Sequence, residues 1–243
     1  MTAALRTAAP FYEFASHADG VRLMVAGAEL CLRASGALWI ERESALVAAD
    51  LHLEKGSAFA ARGQLLPPYD TADTLRRLAQ EVAALDPRVV VLLGDAFHDS
   101  HAEERLAAED ARQVHAIAAG RTLVWVLGNH DPQPPKGLPG QSVEALDLLG
   151  LKLRHEPEPG PAHAEAAGHL HPCARVAAAG RSVRRRCFVT DGRRVVLPAF
   201  GAYAGGLSIR DAAFAGLFHR PPLAVALGAR RAHAVGWASI RPD

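Results

Sequence analysis

The chain has 243 residues and 25.8 kDa, 49% hydrophobic and 22% charged, which suits a single domain over residues 1–243 with a full core. No apolar run approaches the ~18 residues of a membrane span, and the N-terminus (MTAALRTAAP) has no long apolar stretch after a basic start, so a soluble cytoplasmic protein with no membrane partner is predicted. Three widely spaced cysteines, Cys31, Cys173 and Cys187, never form a CxxC, which excludes a disulfide framework and a thiolate zinc knuckle and predicts buried thiols.

The first elements in chain order are short strands at 21–25, 30–32 and 38–40. Three continuous apolar runs follow, each running into polar residues: 45–49 into Asp50-Leu51-His52, 89–93 into Gly94-Asp95, and 122–127 into Gly128-Asn129-His130-Asp131. Runs of this kind read as strands buried on both faces. Between them, Leu75, Leu78, Val82 and Leu85 recur at helical spacing over 71–85, with Asp70 as N-cap and Pro87 beyond the end. A second helix is predicted over 102–119, with Lys55 and Ser57 in a loop. The β-α-β-α-β order places the three strand ends along one edge, where open α/β sheets bind ligands.

After residue 150 the pattern turns to short strands at 151–154, 174–178, 186–190, 194–198, 223–227 and 232–240. Thr190-Asp191-Gly192-Arg193 reads as a hairpin turn. The Pro-rich stretches 132–139 and 157–161 read as surface loops. Two packed sheets flanked by helices result. Charge is divided as well: residues 1–120 hold 11 Lys+Arg against 17 Asp+Glu, and residues 121–243 hold 16 against 9. Arg181, Arg184, Arg185, Arg186, Arg193 and Arg194 face a single acid, Asp191, and read either as a patch for nucleic-acid phosphates or as a solvated hairpin face. Loop 199–207, with Phe200, Tyr203 and three glycines, reads as a close approach to substrate or a tight structural turn.

Asp50 and His52 are two apart, so in extended backbone both leave one face; His169 and His171 in Gly168-His169-Leu170-His171 do the same. With Asp95, Asn129 and His155, the set holds two carboxylates, one amide and four imidazoles. Such N/O ligands without sulfur suit Mn²⁺, Fe or Zn²⁺ rather than a thiolate-loving ion, and are too many for one tetrahedral site, so two metals are implied. His163 competes with His155 for its place. His98 and Asp99 read as supporting or substrate-contacting residues, Lys55 and Ser57 as within reach of a phosphate, and His101 as a surface residue. His17, His115, His219 and His233 have no motif around them.

The order Asp-x-His, Gly-Asp, Gly-Asn-His-Asp, a lone His and Gly-His-x-His over 45–172 resembles the calcineurin-like metallophosphoesterase superfamily. Within it, the runs around Asp50–Ser57, Gly63–Thr71, Gly94–Asp99, Cys187–Val189 and Leu197–Leu207 resemble the PdeM family of ligase-associated DNA damage response endonucleases. The resemblance implies a four-layer α/β/β/α sandwich with a dinuclear centre. It also implies hydrolysis of phosphodiester bonds by a bridging hydroxide, a DNA substrate in repair, and functional partnership with a DNA ligase and a helicase. Carried over residue by residue, Asp50, His52 and His171 would hold one metal and Asn129, His155 and His169 the other, with Asp95 bridging. His130 would act on the scissile phosphate with Asp131 orienting it. From the residues themselves, Lys55, His98, Arg184, Arg185 and Arg186 are candidate substrate contacts, against the reading that they are solvated. The competing readings are a phosphatase or phosphodiesterase for a small nucleotide-like metabolite, and a nucleic-acid-binding subunit whose catalysis is vestigial.

Overall fold

The computed structural model describes residues 14–17, 19–178 and 181–243. Residues 1–13, on which the reading of the N-terminus rests, and the side chain of Arg181 lie outside the described residues. Eight strands form the first sheet in chain order: Phe14–Ser16 (β1), Gly20–Val25 (β2), Ala28–Arg33 (β3), Leu38–Ile40 (β4), Ala45–Ala49 (β5), Val89–Leu93 (β6), Thr122–Val126 (β7) and Gln141–Val143 (β8). Strands β1 to β5 are antiparallel neighbours, whereas β5 to β8 run parallel. The parallel half requires crossovers, supplied by Lys55–Ala61 (α1), Asp70–Leu85 (α2), Ala102–Arg105 (α3) and Ala108–Ala118 (α4).

The second sheet has ten strands: Ala145–Leu148 (β9), Leu151–Arg154 (β10), Glu165–Ala167 (β11), Pro172–Ala178 (β12), Arg181–Thr190 (β13), Arg194–Val196 (β14), Leu207–Ser208 (β15), Leu223–Leu227 (β16), Ala232–Gly236 (β17) and Ile240–Arg241 (β18). It too is mixed, with β10, β11 and β14 parallel and most other pairs antiparallel.

Side-chain alternation sets the layers. Ala45, Val47 and Ala49 of β5, with Val91 and Leu93 of β6, face the second sheet and pack on Leu153, Phe188, Val195 and Val225. Leu46, Ala48, Val90 and Leu92 point the other way, under Leu75, Leu78 and Val82 of α2 and Val114 and Ile117 of α4. The outer face of the second sheet is covered by Ile209, Phe214 and Leu217 from a short 3₁₀ segment and its flanking loops, so the α-helices described here lie on the first sheet. The two packed mixed sheets of the expected sandwich are present. All three cysteines are free and buried. No helix among the described residues is long and apolar enough to cross a membrane.

Several elements differ from the sequence reading. Asp70 is not an N-cap: it starts α2 itself, and its buried carboxylate accepts from Gly56 N–H at 2.9 Å, so a tertiary contact has claimed the capping group. The helix expected over 102–119 breaks at Leu106 and Ala107, both extended, and α3 is held by its side chains: Glu103 accepts from Lys136 and Gly137 N–H, and Arg105 donates to Asp99 and Ser57. Lys55 and Ser57 lie in α1 rather than in a loop.

The arginine cluster dissolves. Arg194 is wholly buried, ion-paired with Glu165 and donating to the carbonyls of Gly160, Leu217 and Glu158 at 2.9, 2.7 and 2.6 Å. Arg193 next to it is exposed. Between them and β13, Asp191 shapes the hairpin by accepting from Arg193 and Arg194 N–H, as the Asp-Gly signal predicts. Removing one partner of a buried ion pair strands the other charge, so Arg194→Ala is expected to lower unfolding free energy by about 3–5 kcal/mol. Arg193→Ala should stay within about 0.5 kcal/mol of the parent in the same urea titration.

Candidate metal centre

Strands β5, β6 and β7 are parallel and in register, so their carboxyl ends lie side by side and hand over Asp50, Asp95 and the turn Gly128–Asp131. The second sheet brings His155, directly after β10, and His169 and His171, between β11 and β12, to the same place. Extended backbone does not aim them. Asp50, His52, Asp95, His169 and His171 all have φ between 44 and 67°, the left-handed region that costs a non-glycine residue about 1–3 kcal/mol. The pairs do share a site, but tight left-handed turns place them there. Close approach is bought by missing side chains: a Cβ on Gly94 would lie 2.1 Å from His155 Nδ1, and one on Gly128 2.2 Å from Asp95 Oδ1.

Two groups of donor atoms result. In the first, His52 Nε2 and His171 Nε2 are 3.2 Å apart and Asp50 Oδ1 is 3.4 Å from His171. In the second, His155 Nε2 lies 2.9 Å from Asn129 Oδ1 and 3.2 Å from His169 Nδ1. Asp95 belongs to both: Oδ2 faces His52 Nε2 at 3.8 Å and Oδ1 faces His155 Nε2 at 3.4 Å. The sets Asp50–His52–His171 and Asp95–His155–His169 each converge within 4.8 Å, compact enough for one cation apiece, and their N/O chemistry fits a divalent ion. Asp50 also accepts from His169 N–H at 3.0 Å, tying the two sheets together.

Burial, then the nearby His171, pushes the His52 imidazole down to about 3, so it is a neutral lone-pair donor at neutral pH. Burial alone would raise Asp95, but its hydrogen bond with His155 and that ring's charge hold it at about 2. His155 moves up despite its burial, because Asp95 and Asp50 face it.

The family model described as calcineurin-like phosphoesterase matches residues 44–174, which span all of these side chains. The chain belongs to that family. It is therefore a phosphoesterase, a hydrolase that works with divalent metal ions. Its fold is similar to the crystal structure of the Pseudomonas putida nuclease MPE, with a TM-score of 0.67 and 28% identity over 88% of this chain and 98% of that one. Yfce, a phosphoesterase from E. coli, gives a TM-score of 0.38 and 13% identity over 79% and 98%. The search of curated proteins gave no match.

Around the donor groups of this phosphoesterase, His130 is half-exposed, with Nδ1 against the carbonyl of His98 at 2.8 Å and Nε2 4.0 Å from Asp95 Oδ2. Asp131 does not orient that ring. Its carboxylate accepts from Phe97 and Gly128 N–H at 3.0 and 3.1 Å, pinning the β6 and β7 ends together, and burial raises it to about 6. His98 stacks on His130 at 5.4 Å and meets His52 edge-on at 5.5 Å. Burial, then the charges of Lys55 and His130, takes it down to about 4. With His52 and His130 it forms a third convergent group. Lys55 is half-buried and lowered by that burial. Asp99 is held by Arg105, and His101 is on the surface. His17, His115, His219 and His233 are all exposed.

Sequence reasoning missed the support beneath. Glu54, also left-handed, accepts from Thr71 and Ser57 hydroxyls at 2.9 and 2.6 Å, while Thr71 accepts from Glu54 N–H at 2.8 Å. Its only local signal is the spacing, two residues after His52.

The second-half arginines are not one patch. Arg186 donates to the carbonyls of Ala199, Ala202 and Ala204 at 3.0–3.2 Å, clasping loop 199–207, whose Phe200 and Gly201 N–H bond the carbonyls of Ala49 and Asp50. Those bonds anchor the loop against the end of β5. Arg184 pairs with Asp243 and Gly206 O. Arg185 leaves the opposite face of the strand and is exposed.

His155 is 4% exposed inside the donor group, whereas His163 is at the surface beside Arg193 and 5.1 Å from the His219 ring. Metal analysis should therefore find fewer divalent-metal equivalents on His155→Ala, and wild-type content on His163→Ala.

Proposed function

We propose that this phosphoesterase is a phosphodiesterase that cuts nucleic acid, DNA above all, with two divalent ions at its centre. Asp50, His52 and His171 would hold one ion, Asn129, His155 and His169 the other, and Asp95 would touch both. The observation that carries the reading is Asp95, whose two oxygens turn toward two separate donor groups. The N/O donor set without sulfur suits manganese, iron or zinc, and manganese is the leading choice of this proposal. Such a pair of ions, when bound, supplies a water of lowered pKa and stabilises the attacking and leaving oxygens of an in-line displacement.

The chain's own residues do the rest. His130 donates from Nδ1 to His98 O, which leaves Nε2 facing the centre to hold a proton near a phosphoryl or leaving oxygen. Lys55 and His98 line the same side, where a phosphate's remaining charge would lie. The similarity to a nuclease supports a nucleic-acid substrate, and the PdeM resemblance supports a place in DNA repair beside a DNA ligase and a helicase. A second reading, hydrolysis of a small nucleotide-like metabolite, gains from the commitment of Arg184 and Arg186 to structural contacts, which removes one expected basic rim.

Turnover of an aryl phosphodiester, an aryl phosphomonoester and single-stranded DNA with added Mn²⁺ separates the readings. The diester and DNA should both be cleaved. Preference for the monoester with DNA untouched would establish the metabolite enzyme, and DNA binding with no turnover on any substrate the vestigial subunit.

Asp95→Ala should bind fewer metal equivalents and lose nearly all turnover. His130→Ala should keep its metal content while kcat falls about 10²–10⁴-fold, the range for a positioned acid or base. Metal loss in that variant would make His130 a ligand instead.

A further inference from the structure

One wall of the centre leads outward. The His52, His130 and His98 rings form a continuous set, and His98 in turn faces Phe59 of α1 at 6.0 Å. Helix α1 starts beside His52 and runs seven residues, about 10 Å, to its C-cap Arg62. Among the described residues the Arg62 guanidinium has no hydrogen bond or ion pair, in contrast to Arg184 and Arg186. Its charge still reaches His98.

Beyond Arg62 comes Gly63-Gln64-Leu65-Leu66-Pro67-Pro68-Tyr69, all exposed. Leu65 is 88% exposed and Tyr69 69%, and with Leu66 they make three of the seven exposed large hydrophobic residues among the described residues. Such a cluster marks a binding surface. The loop is held in shape: Gln64 N–H donates to Phe59 O at 2.9 Å, Tyr203 O–H donates to Pro67 O at 2.7 Å, and Tyr69 O accepts from Asp73 N–H at 2.9 Å. A surface already ordered loses little entropy on binding. Residues 55–69 carry Lys55 and Arg62 and no acid, within a half of the chain that holds 17 acids.

We propose that the edge formed by Arg62, Leu65 and Tyr69 is where a single-stranded nucleic acid lies as it extends from the metal centre, Arg62 meeting its backbone and the apolar side chains its bases. This rests on the nucleic-acid reading of the site. Cations beside exposed aromatic and apolar groups are what sequence-tolerant strand binding uses. An apolar protein partner would match Leu65 and Tyr69 but would give Arg62 and Lys55 no role, and it would not have to lie along the wall of the reaction centre.

The test uses the manganese-loaded full chain and kcat/KM for single-stranded DNA and for an aryl phosphodiester, over a range of salt. Tyr69→Ala should lower the value for DNA about five- to hundredfold, the loss of one stacked base. Arg62→Ala should lower it and flatten its salt slope by about 0.7, one phosphate contact. Aryl diester turnover and the thermal midpoint should not move, since both side chains face solvent. Unchanged DNA cleavage in both variants would overturn the inference while leaving the nuclease reading intact, and would point to a protein partner for the loop. Equal loss on both substrates would also overturn it, because the edge would then act through the metal centre. A wild-type enzyme that cleaves the aryl diester and ignores DNA would remove the nucleic-acid reading and this inference together.

Discussion

Two carboxylates and four imidazoles can share one largely buried space only if positive charge holds them there, and this electrostatic demand organises the molecule. Asp50 and Asp95 are almost inaccessible to water, which disfavours their charged forms. Their compensation inside the chain is local: His169 N–H on Asp50, His130 N–H on Asp95, and the His155 ring between them. The His52 imidazole cannot help, because burial and the nearby His171 keep it neutral. Neutral nitrogens set among buried carboxylates describe a place for cations, in keeping with the divalent metal ions of the family.

Holding those donors requires backbone that a free chain avoids. Among the described residues, five of the eleven non-glycine residues with positive φ are candidate ligands, and Glu54 at the same edge is another of the eleven. Each is a cost of order 1–3 kcal/mol that persists only when the surroundings over-determine it. The surroundings are the two-sheet core: β5, β6 and β7 are buried on both faces, and Phe188, Val195 and Val225 lock the second sheet against them. The Glu54–Thr71–Ser57 network and the Asp131 pin extend that rigidity to the turns themselves. Precision at the site is thus bought from apolar packing some distance away.

What could be read in the sequence follows from the same division. The central strands were legible because strands buried on both faces must be continuous apolar runs. The candidate ligands were legible because each sits at the end of such a run or in a short His-containing motif. Elements fixed by tertiary contact were not. Helix α1, with Gly56 and Ser57 and no apolar stripe, is held by Asp70 and Arg105 rather than by its own propensity. Short strands such as β8, β11 and β15 are defined by their partners, and the break between α3 and α4 by where Glu103 and Arg105 reach. His155 and His163 are alike in sequence, but His155 directly follows β10 and its ring enters the space that Gly94 leaves open, whereas His163 lies at the surface.

Charge was the least legible property, for a reason that extends beyond this chain. A run of arginines in sequence says how much positive charge a segment carries, but the field a ligand meets depends on which guanidinium groups are already satisfied. Arg194 is consumed by Glu165 and three carbonyls, Arg186 by the carbonyls of loop 199–207, and Arg184 by Asp243. Arginine's five fixed donors suit it to this work, since one side chain can bind several carbonyls that a lysine could not span. Much of the arginine hairpin is therefore spent on the protein's own architecture. The acidic half, whose acids are mostly engaged with neighbouring arginines or with backbone amides, keeps Lys55 and Arg62 uncommitted beside the reaction centre, and it is there that a polyanion would meet unspent positive charge.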